Sequence, residues 1–285
     1  MNALQRLLSR AMVARTASPR IVPRIASRSL STSSFDGSES FVPSPPDKLT
    51  TDMAEGIADA TQFFLRYGLS HRRLVELSHN DDLPVVTKWQ KMMEVFLSTQ
   101  IHVTTGMGYA PDEHGLTLYA QHLAECISNS DPTMQQLFQE SRRDTWRDMV
   151  SIVFQVPIDE IPTLTIVEAR SLMHTISSKM LDPAVLEMVR KEASTVVESD
   201  KKLELVRKHN ILQNIIVNNI YLSGDPSFVE QAGFGSGAQG YAKMQCALSD
   251  FEGDPLIAQY AGSSMQKLME AAGLDAAALQ GVGVS

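Results

Sequence analysis

From about Thr50 onward, apolar residues recur at three- and four-residue intervals, the spacing that gathers them on one side of an α-helix. In the segment opened by Asp82-Leu83-Pro84, one stripe is formed by Val86, Trp89, Met93, Phe96 and Leu97, and Lys88, Lys91 and Glu94 fall outside it. Asp131-Pro132, Asp182-Pro183, Asp225-Pro226 and Asp254-Pro255 each stand before another periodic run. The pair suits a helix start: the aspartate accepts hydrogen bonds from free first-turn amides, and proline supplies a preset φ where no amide is needed. Thr165-Ile166-Val167-Glu168 has the spacing of a capping box, and Gly224, Gly253 and Gly273 stand where helices can stop. The β-leaning runs are 152–156 and 164–167, the second better read as a helix start, and no Asn-Gly hairpin signal occurs. The pattern predicts an all-α protein of nine or ten helices with short connections: a multi-helix bundle or stacked helical-hairpin array, preceded by a disordered targeting segment.

Three stretches differ in character. Residues 1–30 read as a mitochondrial transit peptide and 31–49 as a Ser/Pro-rich linker containing Pro43, Pro45 and Pro46. Residues 50–285 read as the helical domain, as one body or as two units of about 50–200 and 201–285. The halves echo one another. Ile101-His102-Val103 resembles Ile220-Tyr221-Leu222, and Tyr119, Cys126 and Asp131-Pro132 resemble Tyr241, Cys246 and Asp254-Pro255. Helix-start chemistry alone can generate such echoes, so a true repeat stays open at this level.

Charge adds the compartment. Arg6, Arg10, Arg15, Arg20, Arg24 and Arg28 stand among the first thirty residues with no acidic residue, and Leu4, Leu7, Leu8 and Met12 share helical spacing. That is the composition of a leader drawn by a negative-inside potential, and Leu30 and Ser31 after Arg28 fit a matrix cleavage site. Without those six arginines the chain holds 19 basic against 33 acidic residues, a net charge of −14. So acidic a protein repels phosphate backbones, and nucleic acid is not an expected partner. No run approaches the roughly 20 apolar residues of a spanning helix. The expected location is the matrix or the matrix face of the inner membrane. Cys126 and Cys246 read as small apolar residues, not as a disulfide framework.

Candidate chemistry is sparse, and no cofactor is expected. Glu76-Leu77-Ser78-His79 has the spacing that places a carboxylate and an imidazole on one helix face, but a di-iron bundle needs a second such motif and the sequence has none. His102, Asp112, Glu113, His114 and His122 are the densest group of potential ligands, and His102, His114 and His122 are the metal candidates. Asp112 and Glu113 also suit a helix first turn. Gly235-Ser236-Gly237-Ala238-Gln239-Gly240 has the letters of a dinucleotide fingerprint without the preceding strand, and reads as a flexible loop. No nucleophile elbow or Walker sequence occurs, so no catalytic residue is assigned.

The helix expected over 203–222 is the most distinctive element. Leu205, Leu212, Ile215, Ile216 and Ile220 form a broad apolar face, flanked by Asn210, Asn214 and Asn218 at every fourth residue. An amide seam beside an apolar face can fix register against a partner helix, because a buried amide without a partner is costly. Leu205, Leu212, Ile216, Asn210, Asn214 and Asn218 are therefore the candidate partner interface. Asp254-Pro255-Leu256-Ile257-Ala258-Gln259, with Met265-Gln266-Lys267-Leu268-Met269 and Gly273-Leu274, resembles the Asp-Pro helical module of heat-shock co-chaperones. There short amphipathic helices form a groove for apolar peptide; the resemblance covers about twenty residues with an insertion.

These features together lead to the expectation of a non-catalytic mitochondrial protein with protein partners. It would be an accessory or peripheral subunit, or an assembly factor, of an inner-membrane respiratory or ATP synthase complex. The alternatives are a helical matrix enzyme or metal-binding protein, and a co-chaperone-like adaptor for apolar helices.

Overall fold

The computed structural model describes residues 44–251 and 253–274. The expected leader, the cleavage candidates Leu30 and Ser31 and most of the expected linker lie outside the described residues. Within them the chain is all-α, with eleven α-helices and no strand. These are α1 (Thr51–Tyr67), α2 (Leu69–Ser78), α3 (Val85–Thr105), α4 (Glu113–Asn129), α5 (Pro132–Phe154), α6 (Ile166–Met180), α7 (Pro183–Ser194), α8 (Lys201–Ile215), α9 (Phe228–Gln231), α10 (Gly237–Ser249) and α11 (Pro255–Ala271). A π-helical stretch, Ile216–Tyr221, continues α8.

The helix starts follow local chemistry. Asp131, Asp182 and Asp254 each cap the helix that begins at the next proline and accept first-turn amides. Thr165 and Glu168 form a reciprocal capping box. Asp225 departs from the pattern: its bond to Pro226 is cis, and Ser227 with Glu230 caps α9 instead. Lys88 also departs. It is buried, with Nζ 3.2 Å from the Ser78 carbonyl at the end of α2 and 3.7 Å from Asp81, so α2 and the following turn cover the side that periodicity left to solvent.

The element order repeats. The runs α1, α2, α3, α4, α5 and α6, α7, α8, α10, α11 correspond, with α9 as an addition to the second. Within each run the first helix packs on the second, on the third (in the second run, on its π-helical continuation) and on the last, and the second and third pack on each other and on the last. The turns before α4 and α10 agree in detail. Gly108 and Gly233 have φ of 89° and 83°. The amides that follow, on Tyr109 and Phe234, donate to the carbonyls of Thr104 and Val229 at 3.2 and 3.0 Å. A Cβ on Gly115 or Gly240 would fall 2.1 or 2.0 Å from the carbonyl oxygen of Ala110 or Gly235, so each helix crosses its own turn where only glycine fits. This register pairs Tyr119 with Met244 and Cys246 with Gln121, so those echoes in the sequence do not align; the two Asp-Pro pairs correspond as the starts of the last helix in each run, two residues out of this register.

Each run has its own apolar core, one drawn from residues 49–161 and the other mainly from 169–274. Helix α10 joins them. Ala242 and Cys246 enter the first core, and Tyr241, Met244, Ala247 and Leu248 the second. Aromatic rings continue across the join: Trp89 stacks on Trp146 at 5.9 Å between centroids and meets Tyr241 edge-on at 5.9 Å. Polar ties reinforce it. An Arg142 Nη donates to the Ser249 carbonyl at 2.7 Å, Arg143 pairs with Asp250 at 3.0 Å, and Lys243 pairs with Glu160 at 2.6 Å.

Candidate protein-docking groove

Helix α8 is where sequence and structure converge on a surface. Leu205, Leu212 and Ile216 are buried within the second core, so the apolar half of the candidate interface is covered by the chain's own helices. The amide half reaches the outside. Asn210 is half-buried, and Asn214 and Asn218 are exposed. Past Ile215 the winding changes to π, which slows the rotation per residue and brings Asn219 to the surface beside Asn218.

Asn210 and Asn214 line an open groove of about 470 Å³, shared with Ile211 and Arg207 on α8 and with Thr195, Val196, Val197 and Glu198 of the connection from α7. Val197 is 85 % exposed. Glu198, itself largely covered, forms an ion pair with Arg207. Those four connecting residues carry no periodic signal, and the exposure of Val197 beside the amide stripe is visible only in the fold. Each asparagine amide offers two donors and one acceptor, matching a peptide group, while Ile211 and Val197 supply aliphatic surface. The groove's carboxylate is tied to its guanidinium.

The other candidates are placed as follows. The Nδ1 atom of His122 lies 3.0 Å from the Tyr109 hydroxyl, the His102 ring meets Phe64 edge-on at 5.2 Å, and His114 is exposed. Among the described residues, no three His, Cys, Asp or Glu side chains come together in a way that could hold a metal ion. Asp112 caps α4 through the Gly115 amide at 2.9 Å. The His79 ring lies 2.8 Å from the Val75 carbonyl at the end of α2. Of the glycine-rich stretch 235–240, the residues from Gly237 on form the first turn of α10, Gly240 is the one closely packed, and the helix α9, not a strand, precedes it. Cys126 and Cys246 are free thiols; Cys246 is buried, and burial pushes its pKa up to about 12. The stretch resembling the co-chaperone module forms one continuous helix, α11, which packs on α6, α7 and α8 with Ile257, Ser264 and Leu268 inward. No helix among the described residues is long and apolar enough to cross a membrane.

Compared with protein-family models, curated proteins and solved structures, the chain matches none.

Proposed function

We propose that this chain is a non-catalytic mitochondrial protein, an accessory or peripheral subunit or an assembly factor of an inner-membrane respiratory or ATP synthase complex. The observation that carries the contact role is the open groove on α8, where Asn210 and Asn214 stand beside the exposed Val197. Amides next to aliphatic surface suit a polypeptide segment, whose peptide groups they can satisfy and whose small side chains they can cover. The compartment rests on the six leader arginines and the missing leader carboxylates. The acidic remainder of the chain favours protein over anionic lipid or nucleic acid as the contact.

The test is affinity purification of the tagged chain from isolated mitochondria in mild detergent, followed by native-gel migration. Migration with a large assembly, weakened in an Asn214→Arg, Val197→Glu variant that keeps the wild-type Tm, is the expected result. A free monomer in the same extract, or a variant that assembles as well as wild type, overturns the reading.

A further inference from the structure

The outward side of α1 has a composition its own core has no use for. Asp52, Glu55, Asp59, Phe63 and Tyr67 follow one another at three- and four-residue spacing, and all are exposed. The apolar end is large: Phe63 is 58 % exposed and Tyr67 73 %, and Leu69, at the start of α2, is 64 % exposed. Phe63 holds its ring 5.5 Å from Tyr67 and 5.8 Å from Phe64. Gly68 lets the chain turn tightly here, since a Cβ would come within 3.0 Å of the Phe64 ring. The result is an exposed aromatic pair at the end of an acidic stripe, with the exposed Leu69 two residues further along the chain.

Helix α5 extends the acidic side. The Gln62 amide donates to the Ser141 carbonyl and the Thr145 hydroxyl, each at 3.0 Å, and Arg66 pairs with Asp148 at 2.6 Å. Leu137, Ser141, Asp144 and Asp148 share a helical face by their spacing, so the exposed Leu137 and Asp144 flank α1. Arg66, the cation within the stripe, is neutralised by Asp148. Past Leu69 the sign reverses, with Arg72 exposed and Arg73 donating to the Ser98 hydroxyl at 3.1 Å.

We propose that this face receives a cationic amphipathic helix of a partner protein. Its lysines or arginines lie against Asp52, Glu55, Asp59 and Asp144, and its apolar side lies on Phe63, Tyr67 and Leu69. From Asp52 to Tyr67 the stripe runs about 22 Å, which a partner helix of about fifteen residues covers. The charge reversal sets direction. A helix favours anions at its N-terminus and cations at its C-terminus, so the partner enters beside Asp52 and ends near Arg72. An anionic lipid surface is disfavoured by the same carboxylates. The surface is separate from the α8 groove, and the choice of complex does not bear on it.

The test titrates a labelled Leu/Lys helical peptide of about eighteen residues into the full chain, and into the chain starting at Ser31 so that the leader's arginines do not compete. Controls are the same peptide with glutamate for lysine and a Leu/Lys peptide of non-helical spacing. Phe63→Ser with Tyr67→Ser is expected to weaken binding at least about tenfold at unchanged Tm, because the side chains removed are exposed. Glu55→Lys with Asp59→Lys is expected to weaken it more at about 0.05 M than at 0.5 M salt, as screening dictates. Equal binding of the glutamate or non-helical peptide, an unaffected aromatic variant, or absence of binding in both chains overturns the proposal. So does a homodimer that the aromatic substitutions dissociate, because the occupant is then a second copy.

Discussion

At the scale of single residues, four substitutions separate local geometry from local chemistry. Gly240→Ala places a methyl group 2.0 Å from the Gly235 carbonyl oxygen, which no side-chain rotation relieves. A loss of about 3 kcal/mol in urea unfolding is expected, and the same for Gly115→Ala. Gly56 makes the contrast: a Cβ there meets nothing within 4 Å, inside α1, so Gly56→Ala is expected to stabilise by about 0.5–1 kcal/mol. Burial holds the Cys246 thiol protonated up to about pH 12, so iodoacetamide at pH 8 is expected to label Cys126 well before Cys246, with the difference vanishing in urea. The carboxyl of Asp254 is held below its ordinary pKa by the Arg170 guanidinium at 2.7 Å and by the Ile257 and Leu256 amides it caps. Its folded-state pKa is the lower one. Its contribution is therefore complete above the unfolded value near 3.9 and lost as pH falls through the folded value. Tm profiles of wild type and Asp254→Asn are expected to converge on acidification below about pH 4 and to stay parallel above it.

At the scale of the helix, local chemistry was legible and tertiary cover was not. Asp131, Asp182, Asp254 and Thr165 could be read as caps because a cap is decided within four residues. Lys88 could not be read as buried, since what buries it is the end of α2, ten residues away along the chain and beside it in space. The apolar face of α8 was visible as a face, but periodicity shows that one side is covered without showing by what. Leu205, Leu212 and Ile216 turn out to face the chain's own core, and of the candidate interface the amide flank is what reaches the surface. The groove's other wall, 195–198, lies in an irregular connection with no period to detect. The acidic and aromatic stripe of α1 follows helical spacing throughout, yet its exposure depends on which side α5 occupies, and the hydrogen bonds of Gln62 settle that.

At the scale of the whole molecule, two cores share a helix. Because α10 contributes side chains to both, neither core can open without exposing apolar surface of the other. A single transition is expected. Fluorescence of Trp89 and Trp146, which reports on the first core and the join, and far-UV circular dichroism, which reports on all helices, should share one urea midpoint. Separated midpoints would mean that the repeats fold independently. The matched turns before α4 and α10 also allow the two helices to be compared position by position. Where α10 presents Ala238, Ala242 and Cys246 to the first core, α4 carries the half-buried Glu113 and Thr117 and the exposed Gln121. Small apolar side chains let one tier nest on another, whereas a carboxylate and an amide at the matching positions resist being covered, and the Thr117 hydroxyl is turned back to the Glu113 carbonyl at 2.8 Å. This flank of the molecule is thus built as a stop. Exchanging Glu113, Thr117 and Gln121 for Ala, Ala and Cys would turn a finite stack into one whose exposed flank invites the next chain to add on, and light scattering would register the growth.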